Sequence, residues 1–203
     1  MRALLVVDIQ NDFCPGGALA VPDGDTIVTT VNKLVNVFDA VIQTQDWHPA
    51  GHSSFASSHD GKEPYDTVEM DYGTQVLWPD HCVQGSMGAE FHPELNTLKT
   101  QVIIRKGFRK AIDSYSTFFE NDQETTTGLT GYLNQRGITD LYTVGLATDF
   151  CVKWSILDGI DEGFNMHIVE DAVKGIDLDG SLDAAWDEMK EKGVNIVTSD
   201  DLL

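Results

Sequence analysis

An α/β fold, three-layer α/β/α with a mostly parallel central sheet of about six strands, is predicted by three observations. Short apolar runs recur along the chain and alternate with segments of helical periodicity, the pattern of a parallel sheet covered on both faces. The first run, "ALLVV" at 3–7, is continuously apolar, as a strand buried on both sides must be. The polar and chemically reactive side chains cluster where these runs end.

The elements follow in order. After 3–7, the segment "GDTIVTTVNKLVNVFD" places Ile27, Val28, Val31, Leu34, Val35 and Phe38 at helical spacing, with Asp25 as the expected N-cap. "AVIQTQ" (40–45) is a second strand. From Asp46 to about Glu90 the chain is rich in His, Gly, Ser and Pro and has little periodicity. It reads as a long irregular loop, and its Trp and His content argues against disorder. "TQVIIRKG" (100–107) is a third strand, followed by a second irregular stretch. "TGLTGYLNQRG" (127–137) is a short helix ending at Gly137, and "TDLYTVGL" is a fourth strand. A helix starts at the Cys151 segment, "NMHIVED" (165–171) is a fifth strand, "SLDAAWDEMKEKG" (181–193) a helix, and "VNIVTS" (194–199) the last strand. With no repeat or linker in 203 residues, a single domain over 1–203 is expected.

Composition narrows the function. The formal net charge is −20, so a basic face for nucleic acid or an anionic membrane is not expected. The apolar run at the N-terminus is too short for a signal peptide or a membrane span. Cys14, Cys82 and Cys151 form an odd, sparse set, which reads as reduced thiols in the cytoplasm and not as a disulfide framework.

In an open parallel sheet, ligands bind beyond the carboxyl ends of the strands. Here those ends carry Asp8, Asp46 with Trp47 and His48, Lys106, and the Cys151 corner. A cysteine at a strand-to-helix corner is either a buried structural thiol or a nucleophile. For the second, a helix N-terminus lowers the thiol pKa and its N–H groups can hold an oxyanion. No base is adjacent in sequence, but Asp8 can arrive from another strand end, desolvated and therefore a better proton acceptor. Lys106 beside them would orient the carboxylate and help to charge the thiol, completing a nucleophile, base and electrostatic partner. Asp46 and His48, one residue apart on an extended segment, share a side and make half of a divalent-metal site. His52, His59, His81 and His92 are candidates for a third ligand, with His81 in the most rigid context, "LWPDHCVQG".

Taken together, "VVDIQNDFCPGGALAV", "TQDWHPAGHSSFA", "WPDHCVQGSMGAEFHPEL", "RKG" and "VGLATDFCV" resemble the nicotinamidase/pyrazinamidase family of isochorismatase-like cysteine hydrolases over essentially the whole chain. The resemblance implies Cys151 as nucleophile, Asp8 as general base and acid, and Lys106 as third member of the triad. It implies Asp46, His48 and His81 as ligands of one divalent metal, zinc foremost, with iron and manganese also suited to such a set. A fourth ligand would fall near His52 and Ser54, where no equivalent is evident. It further implies a cis peptide at Leu146–Ala147, an oxyanion hole from the N–H groups of Ala147 and Cys151, and a substrate site involving Phe13, Trp78, Tyr115 and Leu146. The implied substrate is the small molecule nicotinamide, with pyrazinamide as a second; a homo-oligomer is a family expectation. Rival readings are a cysteine hydrolase of another small amide or ureido compound, a non-catalytic ligand-binding relative, and metal-hydroxide hydrolysis with a structural Cys151. Isochorismatase itself lacks the nucleophilic cysteine, so Cys151 argues against that activity.

Overall fold

Strand β1 (Arg2–Val7) lies inside a six-stranded sheet of a computed structural model that describes residues 1–203. Around it stand β2 (Val41–Asp46), β5 (Val102–Lys106), β6 (Asp140–Leu146), β7 (Asn165–Lys174) and β8 (Asn195–Val197), in the order β5-β2-β1-β6-β7-β8, all neighbours parallel. The apolar run of β1 serves two cores by alternation. Leu4 and Val6 join α1 (Val28–Val37) on one face; Ala3, Leu5 and Val7 join α2 (Leu129–Arg136), α3 (Lys153–Asp161) and α4 (Ser181–Glu191) on the other. The three layers and six strands match expectation.

Two local expectations need correction. Asp25 does not cap α1: residues Gly24–Ile27 form a 3-10 turn that runs into the helix, and the Asp25 carbonyl accepts the Val28 N–H. An N-terminal donor of the helix is thus met by backbone instead of a capping side chain. The supposedly irregular 46–90 segment contains an antiparallel hairpin, β3 (Thr67–Met70) with β4 (Gly73–Val76). Both strands are short and mostly exposed, so they lack the apolar alternation that announces a strand. The hairpin is tied down instead by Gln75, which is buried and whose amide donates to the Asp113 carboxylate and the Tyr115 hydroxyl, both at 2.9 Å.

Because β1 and β2 lead to one side and β6, β7 and β8 to the other, the order reverses between β1 and β6, the place where such sheets open a crevice. Gly145 enables the close approach there. Its φ is +119°, and a Cβ would lie 2.0 Å from the Val7 carbonyl oxygen, so no other residue fits without moving β1. The register between β6 and β7 slips between Thr143 and Gly145, as at a bulge that re-aims the strand end. No helix is long and apolar enough to cross a membrane.

Candidate active site

Beyond Gly145 the Leu146–Ala147 peptide is cis, and Thr148–Val152 make a wide π-type turn that leads into α3. The Ala147 carbonyl accepts from both the Phe150 and Val152 N–H groups. Ala147 itself lies in no helix or strand, and its own N–H donates to no protein group. The turn carries Cys151 to the crevice, buried and free of any disulfide.

Lys106, fully buried at the end of β5, is the hub. Its ammonium donates to Asp46 Oδ1, to the Ser114 carbonyl at 3.0 Å and to Cys151 Sγ at 3.3 Å. These use its three hydrogens. Asp8 Oδ2, at 2.8 Å, is a fourth neighbour sharing the same ammonium and meets no other donor, leaving that oxygen able to take a proton. The other oxygen of Asp8 accepts from the Thr44 hydroxyl at 2.5 Å. Asp8 has φ 47°, the left-handed region that non-glycine residues rarely occupy and that concentrates at functional sites. The reactive atoms of Asp8, Asp46 and Cys151 all lie within 4.8 Å of one another.

Burial sets the protonation states. It raises the Asp8 carboxyl despite the Lys106 charge, as expected from the sequence. It also pushes the Cys151 thiol well up, outweighing Lys106, with Asp46 and Asp8 adding to the rise. The expectation of a thiol lowered by helix and lysine is overturned. Desolvation of a fully enclosed sulfur beside two carboxylates exceeds what one ammonium returns. Burial opposes the charge of Lys106, yet Asp46 and Asp8 hold it well above its ordinary value.

Asp46, which Lys106 holds by one oxygen, converges through the other with His48 and His81. Asp46 Oδ2 is 3.6 Å from His48 Nε2 and 3.7 Å from His81 Nε2. Two ligands each about 2.1 Å from one ion stand at most ~4 Å apart, so these atoms can share one ion. The outward nitrogens are committed: Nδ1 of His48 donates to the Gly107 carbonyl at 2.9 Å and Nδ1 of His81 to the Pro79 carbonyl at 2.8 Å. A carbonyl only accepts, so both rings carry the proton on Nδ1 and present the Nε2 lone pair inward, as metal-ligating histidines do. Asp46 is held from behind by Gln10, which accepts from its N–H and donates to its carbonyl. The donor set therefore fits a divalent metal.

The other histidines are spent elsewhere. His52 Nε2 faces the Arg109 and Ile112 carbonyls and its Nδ1 meets Ser54, so neither fills a fourth position. His59 Nε2 bonds the Ser53 carbonyl, and His92 Nδ1 accepts from the Glu94 N–H. A further carboxylate missed in the sequence, Asp113, lies 4.0 Å from His48 Nε2 with its oxygens fed by Gln75 and the Ser114 N–H.

Gly107 ties His48 of this candidate metal group to β5. Its φ is +64°, and a Cβ would lie 2.4 Å from His48 Cε1. Gly107→Ala should displace the His48 ring and weaken zinc binding by about 10–100-fold, the usual cost of disturbing a ligand's supporting bond. Equilibrium dialysis against zinc measures this; affinity equal to wild type would contradict the ligand role of His48.

The cavity over Cys151 is lined by Phe13, Leu19, Trp78, Tyr115, Phe150 and Ile176, with Asp46, His81, Asp113 and Ala147. It is apolar and aromatic walled, with few polar groups, suited to a small planar ring. Phe13, Trp78 and Tyr115, proposed from the sequence, do line it, the Trp78 indole N–H donating to the Tyr115 hydroxyl at 3.2 Å. Leu146 does not line the cavity: its side chain is fully buried in the core, beside Gly24. Leu19, Phe150 and Ile176 were not anticipated. Phe150 had a signal in its adjacency to Cys151; Leu19 and Ile176 come from segments without periodicity.

Known proteins resemble this chain in sequence and fold. The isochorismatase domain family matches residues 2–201. A nicotinamidase of Acinetobacter baylyi is 54% identical over 201 residues, covering 99% of this chain and 94% of its own. The solved structure of an Acinetobacter baumanii nicotinamidase and pyrazinamidase superposes with a TM-score of 0.98 at 58% identity, covering 100% and 98% of the two chains. A pyrazinamidase of Pyrococcus horikoshii, solved in complex with zinc, aligns at 37% identity and a TM-score of 0.79 over 97% and 98%. The chain belongs to the isochorismatase family, in its nicotinamidase and pyrazinamidase branch.

Proposed function

We propose that this chain hydrolyses nicotinamide to nicotinic acid and ammonia through a Cys151 thioester, with residues 1–203 acting as one catalytic domain. The observation that carries the reading is the Lys106 ammonium 3.3 Å from Cys151 Sγ and 2.8 Å from an Asp8 oxygen that meets no other donor, with Cys151 lining an aromatic cavity. Asp8 takes the thiol proton as sulfur attacks the amide carbon, which is needed because burial keeps the resting thiol protonated. Lys106 balances the charge through this transfer. The N–H groups of Ala147 and Cys151 receive the developing oxyanion. Asp8 returns the proton to the departing nitrogen and ammonia leaves. It then removes a proton from water, which attacks the thioester and releases the acid and the thiol. Asp46, His48 and His81 would hold a divalent ion, zinc foremost for such donors, which when bound would supply a Lewis-acid site for the ring nitrogen. Phe13, Trp78 and Tyr115 hold the ring. We place the activity in the cytoplasm, in salvage of the pyridine ring for NAD, with pyrazinamide as a second substrate.

Ammonia release from nicotinamide by the purified protein tests the reading. Activity lost on chelation and restored by zinc is the expected result. Release from other small amides but none from nicotinamide would overturn the substrate assignment.

A further inference from the structure

Asp149 sits two residues before Cys151 and is almost completely buried. Its carboxylate does not face the cavity chemistry. Oδ1 accepts the Ile176 N–H at 3.0 Å, and Oδ2 accepts the Asp177 N–H at 2.9 Å and the Ser181 hydroxyl. A buried carboxylate must be satisfied in this way or it is costly. What it satisfies is the segment 175–180, between β7 and α4, which contains the cavity residue Ile176. That segment makes no other hydrogen bond outside itself and the first turn of α4. Asp177 and Asp179 are left-handed, at φ 59° and 51°, so the segment holds a conformation that needs support. The packing at the tie is close: a Cβ on Gly175 would lie 3.1 Å from Asp149 Oδ1 and 2.6 Å from Leu182 Cδ1.

We infer that Asp149 is a positioning residue that clamps the Ile176 wall of the substrate cavity to the same turn that carries the nucleophile, and so sets affinity for the ring. The inference rests on the nicotinamide reading for its kinetic arm only. One element thus registers two parts of the site: the turn carries Cys151 and, through a single carboxylate, holds the segment of the cavity residue Ile176.

Asp149→Asn is the sharp test. The side chain keeps its shape, but its nitrogen cannot accept, so at least one of three donors loses its partner. KM for nicotinamide should rise about tenfold, the range for a disturbed apolar contact, while kcat stays within about threefold. Since the effect runs through Ile176, Asp149→Asn added to Ile176→Ala should raise KM by no more than about twofold over Ile176→Ala alone, a non-additive pair. KM within twofold of wild type, a large fall in kcat at constant KM, or KM effects that multiply would overturn the inference. If Asp149→Asn does not fold, Ser181→Ala removes one donor and should show the same KM pattern at about threefold. Amide exchange gives a readout without substrate: Ile176 and Asp177 should be protected in wild type and exchange about 100-fold faster in Asp149→Asn. Unchanged exchange overturns the clamp. A wild-type protein that releases no ammonia from nicotinamide overturns the functional reading instead, and the exchange experiment still decides the clamp.

Discussion

Cys151→Ala should lower kcat/KM for nicotinamide by about 10⁴-fold or more, the scale seen when a nucleophile is removed from a unit that acts together. The protein should remain folded. The sulfur makes one hydrogen bond, from Lys106, and Lys106 keeps Asp8, Asp46 and the Ser114 carbonyl without it. Zinc binding should survive too, since none of Asp46, His48 or His81 contacts the sulfur in that role. The variant thus separates two chemistries that share these residues. Metal-hydroxide hydrolysis would leave most of the activity in place, and activity above about 1% of wild type would sink the thioester route. Mass spectrometry of acid-quenched wild-type enzyme with substrate should in turn show an acyl group on the peptide carrying Cys151.

Lys106→Met carries the second large effect, on stability as well as rate. Methionine fills a similar volume but leaves Asp8 and Asp46 buried and without their common cation. Breaking a buried ion pair by removing one partner costs about 3–5 kcal/mol, a large share of the roughly 5–15 kcal/mol that holds a domain folded. Urea unfolding should show that loss, and activity should fall with it. An unfolding free energy within about 1 kcal/mol of wild type would mean that Lys106 contributes chemistry alone.

Much of this site could be read before the fold was seen, because one rule does most of the selection. A parallel sheet is recognised by its apolar runs, and its ligands meet at the carboxyl ends. Asp8, Asp46, Lys106 and Cys151 all stand at such ends, and the Asp46–Lys106 register pair sets two of them side by side. The group that could hold a metal was readable by spacing for Asp46 and His48; His81 needed its local context. What stayed hidden came from irregular chain. The 67–76 hairpin has too few buried side chains to leave a period, and Asp113, Leu19 and Ile176 reach the cavity through turns whose path only tertiary packing decides. Asp113 also sat in a stretch rich in polar residues, where nothing distinguishes a buried carboxylate from a solvated one. The thiol shift had the wrong sign for a related reason. Helix and lysine are visible in sequence as local neighbours, whereas the completeness of burial is a property of the assembled molecule.

The strand order has one more consequence. Lys106, Asp46, Asp8 and the Cys151 turn occupy four strands that touch in the sheet, yet Cys151 is 45 residues from Lys106 in the chain, and Asp8 lies far from both. No hairpin or local fragment holds even two of Asp8, Lys106 and Cys151. During refolding, secondary structure can form early without any turnover, because non-local parallel pairing is the slow part of such topologies. Catalysis should therefore return only with the last of these pairings, which makes the enzyme's own turnover a clock for the joining of β5, β2, β1 and β6.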